Sequence, residues 1–82
     1  IRIANPVGAV TVNFTGIPAG YGTSWQVEVA SRGSNAVAFN NIVWDGGSAP
    51  TIASGTNKTV LEFYSWDGGT NVYGAVKFAT LA

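Results

Sequence analysis

Cysteine, histidine and methionine are all missing from this chain of 82 residues, and charge is scarce, with four cations and four carboxylates. Each shortage removes a class of function. No disulfide can form without Cys, and the commonest transition-metal ligand is absent without His. A core built from so few residues supplies only about 3–5 kcal/mol. Oligomerisation is then the remaining source of help for a domain of this size. The common nucleophile–base pairings also disappear with Cys and His. Arg2, Arg32, Lys58 and Lys77 are scattered among Glu28, Asp45, Glu62 and Asp67, with a net charge of zero. Four scattered cations build no basic patch, so no nucleic acid partner is expected. No apolar run approaches the roughly 18 residues of a membrane span, so no membrane insertion is expected.

The chain opens on Ile1-Arg2-Ile3 rather than on Met. That opening is expected of a processed chain or of a segment of a longer protein. It lacks the basic stretch and apolar run of a retained signal peptide.

Leucine is rare as well, at Leu61 and Leu81 only, whereas Val, Ile and Thr supply 23 residues and Gly 11. This is a strand-and-turn composition. No window shows a helical period with capping residues. The expected fold class is all-β: a small antiparallel β-sandwich or barrel of about five or six strands, in one domain over residues 1–82.

Alternation locates the strands. Over 8–15, Val10, Val12 and Phe14 share a face. Over 24–31, Trp25, Val27 and Val29 do the same. The pattern over 35–44 starts with Val37 and Phe39, slips at Asn40-Asn41, and resumes in the other phase with Ile42 and Trp44. Such a slip predicts a bulge or a break. Over 58–66, Leu61 and Phe63 oppose Val60, Glu62, Tyr64 and Trp66. Over 71–80, Val72, Val76 and Phe78 oppose Tyr73, Ala75 and Lys77. Residues 1–4 offer a short sixth strand. Gly-, Asn- and Pro-rich breaks punctuate the set, as a sandwich or barrel requires.

Trp-Asp-Gly-Gly occurs twice, at 44–47 and 66–69. The flanks differ, so shared turn chemistry explains the pair better than an internal repeat. Asp accepts hydrogen bonds from the backbone that follows it, and Gly takes positive φ freely. Asp67, Gly68 and Gly69 are expected to form a hairpin turn between the last two strands. Asp45, Gly46 and Gly47, followed by Pro50, are expected to form a longer corner that carries the chain from one sheet to the other. Each turn offers one carboxylate, too few for calcium, so no metal and no cofactor is expected. Carboxylates in open Gly-rich turns are poorly placed for acid–base work, so no catalytic residue is expected. The two Asn-x-Thr sequons, at Asn13 and Asn57, stand near the chance level for this composition.

The aromatics divide by face. Phe14, Trp25, Phe39, Phe63 and Phe78 lie with β-branched residues and are expected in the core, with Trp44 against it. Tyr64, Trp66 and Tyr73 lie on the other face, beside Glu62 and Lys77. Aromatics with polar tips on an outward face suit subunit contacts. They also stack on sugar rings, and a loop or strand of the same chain is the third way to cover them.

The ordered set Ile42-Val43-Trp44-Asp45-Gly46-Gly47-Ser48-Ala49-Pro50, Val60 to Trp66, Asp67-Gly68-Gly69-Thr70, and Val72-Tyr73-Gly74 resembles a signature of bacteriophage tail fibres and related virion proteins. Gly16-Ile17-Pro18-Ala19-Gly20 is similar to that family's Pro-Gly connection. The family often has an acidic residue where this chain has Lys58-Thr59. The resemblance spans residues 10–78. It implies a sandwich-like, non-enzymatic domain near the C-terminal end of a virion structural protein, commonly a homotrimer. The expected function is structural and adhesive, in a tail fibre or receptor-binding protein located in the virion. Its partners would be other virion proteins and a host surface glycan. A capsid decoration or head-fibre protein is the alternative in the same class. A free carbohydrate-binding module is the alternative from another class.

Overall fold

The alternating segments form seven strands in a computed structural model that describes all 82 residues. They are β1 (Arg2–Ala4), β2 (Val10–Val12), β3 (Ala19–Ala30), β4 (Val37–Phe39), β5 (Ile42–Trp44), β6 (Lys58–Asp67) and β7 (Val72–Leu81). A 3-10 turn covers Asp45–Gly47. The chain is therefore all-β, as its composition requires.

Five strands form one sheet in the order β1-β3-β6-β7-β5, and β2 with β4 forms a second. The large sheet is mixed and the small one parallel, which corrects the antiparallel expectation. β3 pairs antiparallel with β6, and β6 with β7. The β1–β3, β2–β4 and β5–β7 pairs are parallel. The reason is connectivity: only β6 and β7 are joined by a hairpin turn. Each parallel pair instead has another strand inserted between its members in sequence.

The slip at Asn40-Asn41 has a larger consequence than a bulge. It separates β4 in the small sheet from β5 at the edge of the large one. Asn41 takes φ 57°, a left-handed conformation that Asn tolerates better than most residues. The crossing between sheets therefore lies here and not at the Asp45-Gly46-Gly47 corner, since β5 before that corner and β6 after it share the large sheet. The expected strand over 8–15 is also shorter, with only Val10–Val12 paired.

The core lies between the two sheets. Val27, Val29, Leu61, Phe63 and Val72 come from the large sheet, Val37 from the small one, and Ile52 from the segment before β6. Phe63 is its centre. Phe14, Phe39, Trp44 and Trp25 place their ring centroids 4.8, 5.1, 5.8 and 6.0 Å from it. The side chain of Arg32 ties the segment before β6 to the fold. Its guanidinium donates to the carbonyls of Ile52, Ala53 and Asn35 at 2.8–3.2 Å.

One core expectation fails. Phe78 is 47% exposed. In the β6–β7 ladder Leu61 pairs with Val76 but Val60 pairs with Phe78, so β7 carries one extra residue, Lys77. This bulge reverses the alternation and turns Phe78 to the side of Val60, away from the core.

Candidate functional site

The outer face of the large sheet carries the residues that the core does not use. On β6 these are Val60, Glu62, Tyr64 and Trp66, alternating with buried Thr59, Leu61, Phe63 and Ser65. The register sets Tyr64 opposite Tyr73 on β7 and Ser24 on β3, and Glu62 opposite Ala75 and Gln26. Val43 on β5 stands opposite Tyr73 on the far side of β7. Trp66, Val43, Phe78 and Tyr73 are each about half exposed, between 46% and 56%.

Glu62, Tyr64, Tyr73, Val43, Ser24 and Gln26 border an open trough of about 770 Å³ running across β3, β6, β7 and β5. Tyr64 and Tyr73 stand side by side in it, ring centroids 6.3 Å apart and planes 35° apart. Trp66 packs edge-on to Tyr64 at 5.9 Å, outside the trough. Gly22 explains how this cluster sits so close to the backbone. A Cβ there would lie 3.1 Å from the Trp66 ring and 3.3 Å from the Tyr64 ring. The two aromatics thus rest on a glycine in the irregular stretch of β3 between Ala19 and Thr23. Trp66 is therefore covered in part by its own chain.

Polar groups accompany the rings. Gln26 Nε2 donates to Glu62 Oε1 at 3.2 Å, and Lys77 Nζ lies 3.3 Å from the same oxygen. Glu62 Oε2 takes no hydrogen bond or ion pair within the chain. Asp45 and Ser24 stand at the trough margins. Gln26 and Val43 escape a reading that ranks residues by aromaticity. Cross-strand pairing brings them beside the tyrosines, and the signal available in the sequence was only their outward phase.

The two Trp-Asp-Gly-Gly copies do different jobs. Asp67, Gly68 and Gly69 lie in the β6–β7 connection, with φ of 70° at Gly68 and 91° at Gly69. Asp67 accepts from the Asn71 backbone at 2.9 Å and from the Asn71 side-chain amide at 2.8 Å. The Asn71 backbone N–H, followed by its amide, holds the Asp67 carboxyl below its ordinary range. Buried Ser65 joins the turn, accepting from Gly69 N–H at 3.1 Å, with Asn71 O and Asp67 Oδ1 as acceptors for its own proton. Asp45, Gly46 and Gly47 form the 3-10 turn after β5, with φ of 79° and 83° at the two glycines. Trp44 packs against the core, while Trp66 stands outside it. No three Asp or Glu side chains come together as metal ligands.

The arrangement offers an open sheet face with aromatic rings, carboxylate oxygens of Glu62 and Asp45 without partners in the chain, and neutral hydrogen-bonding groups. That is equipment for binding. Comparison with protein families, curated proteins and solved structures finds no match to this chain.

Proposed function

We propose that this chain is a structural and adhesive domain of a bacteriophage virion, within a tail fibre or receptor-binding protein, assembled as a homotrimer and without catalytic activity. The observation that carries the reading is the uncovered outer face, with Val43, Trp66, Tyr73, Phe78 and Leu81 exposed on one sheet. Exposed apolar side chains gathered on one sheet in this way mark interaction sites. The ordered Trp-Asp-Gly-Gly, Pro and Asp-Gly-Gly-Thr segments support the virion assignment by resemblance, and the low charge suits a domain packed among copies of itself. On this reading the β2–β4 pair is the reduced second layer of a sandwich. The second half of β7 favours assembly, because Ala75–Leu81 has a strand on one side only. Phe78 and Leu81 project from that segment.

The trough favours a second reading, a carbohydrate-binding module that acts free of any particle. Antibody labelling of intact virions separates the two. Label at fibre ends is the expected result. Label over the capsid would make the chain a head decoration. A chain found free and on no particle would overturn the virion role.

A further inference from the structure

We infer that the trough across β3, β6, β7 and β5 is a binding site for a neutral oligosaccharide. The inference rests on the adhesive half of the reading above and names its ligand class. The volume, about 770 Å³, falls in the range of small-molecule sites. Tyr64 and Tyr73 supply adjacent aromatic surface for the apolar C–H faces of sugar rings. Glu62 supplies a carboxylate acceptor for hydroxyl groups. Its Oε1 is already held by Gln26 and Lys77, which fixes the carboxylate and leaves Oε2 unshared. Charge-assisted hydrogen bonds from hydroxyls to such an oxygen are short and strong.

Charge selects the class. Asp45 and Glu62 both line the trough, and Lys77, the cation beside Glu62, is paired to it. A sialylated, sulfated or phosphorylated ligand would meet unbalanced negative charge here. A second copy of the chain fits less well than a sugar. It would have to bring a donor to Glu62 Oε2, and burying that oxygen unpaired is strongly unfavourable. Sugar hydroxyls keep that oxygen hydrogen-bonded. Assembly is better served by the Phe78 and Leu81 end of β7.

The test is a titration of the isotope-labelled full-length protein with cellotriose, maltotriose, triacetylchitotriose and sialyllactose, followed by NMR, with solution mass recorded on the same samples. At least one neutral trisaccharide is expected to shift the amides of Ser24–Gln26 and Tyr73–Ala75, with sialyllactose binding more weakly. Tyr73→Ala is expected to weaken binding about tenfold, the loss of one aromatic contact with its buried area, at unchanged mass. Glu62→Gln keeps the shape and is expected to weaken binding as well, which covers the case of a poorly folded Tyr73→Ala. No shift with any neutral trisaccharide, or tighter binding of sialyllactose, would overturn the inference. So would a change of mass in Tyr73→Ala with sugar binding unaltered, because the trough would then be a subunit contact. An unchanged trimer that binds no sugar would overturn this inference alone and leave the assembly reading intact.

Discussion

Asn71 donates both its backbone N–H and its side-chain amide to Asp67, one to each carboxylate oxygen, at 2.9 and 2.8 Å. This pair closes the hairpin between two long neighbouring strands of the large sheet, β6 and β7. It also sets a pH dependence. The folded value of Asp67 is lowered relative to the ordinary 3.8. The stabilisation is therefore fully present above the ordinary value and is lost as pH falls through the lowered one. The urea midpoint is expected to drop across that acid window. Asp67→Asn is expected to be less stable at neutral pH and to show a flatter acid limb. Parallel acid limbs in the two proteins would contradict the role.

Gly74 allows the closest approach in the core. A Cβ there would lie 2.8 Å from Ile42 Cγ2, 2.9 Å from Trp44 Cζ3 and 3.0 Å from Phe63 Cε1. Gly74→Ala forces β5 away from β7 and is expected to cost about 1–3 kcal/mol by overpacking. Chemical denaturation measures it. A neutral effect would mean that β5 adjusts freely.

Phe63 and Phe78 should respond oppositely to truncation. Phe63 is 1% exposed and is ringed by four other aromatics. Phe63→Ala is expected to cost about 3–5 kcal/mol. That matches the whole of the roughly 3–5 kcal/mol that a core of this size supplies, so the isolated subunit is expected to be largely unfolded. Phe78→Ser should lower the stability of the single subunit by less than about 1 kcal/mol, as surface changes do. Its effect is expected on assembly. Equal losses for both variants, measured at dilution where subunits separate, would contradict the outward placement of Phe78.

Arg32 pins a segment with no regular structure. Its guanidinium serves three carbonyls from two directions, a fork that an ammonium group cannot reproduce. Arg32→Lys is expected to cost about 1.5–3 kcal/mol. Hydrogen exchange should rise between residues 48 and 57 before it rises in β6. Uniform exchange along the chain would argue against a local clamp.

Much of the strand content is legible from alternation alone, because period-two patterning reports which face is buried. β6 illustrates this best: Leu61 and Phe63 face inward and Tyr64 and Trp66 outward, as their phase requires. Pairing is another matter. Nothing local in Arg2–Ala4 or Ile42–Trp44 records that each joins a strand far along the chain in parallel. The phase of Phe78 was also illegible, since the bulge at Lys77 depends on how β7 meets β6 rather than on β7 itself. The slip at Asn40-Asn41 was visible, but its meaning as a change of sheet was not. At the candidate site the aromatic members stood out by chemistry. Glu62 was already legible beside them, whereas Gln26 and Val43 became members only through cross-strand register.

The assembly claim is open to one direct measurement, the mass of the full-length protein in solution by sedimentation equilibrium. The expected result is three chains per particle, persisting at micromolar concentration, with Phe78→Ser shifting the equilibrium toward smaller species. A folded protein that sediments as a single chain would contradict the claim.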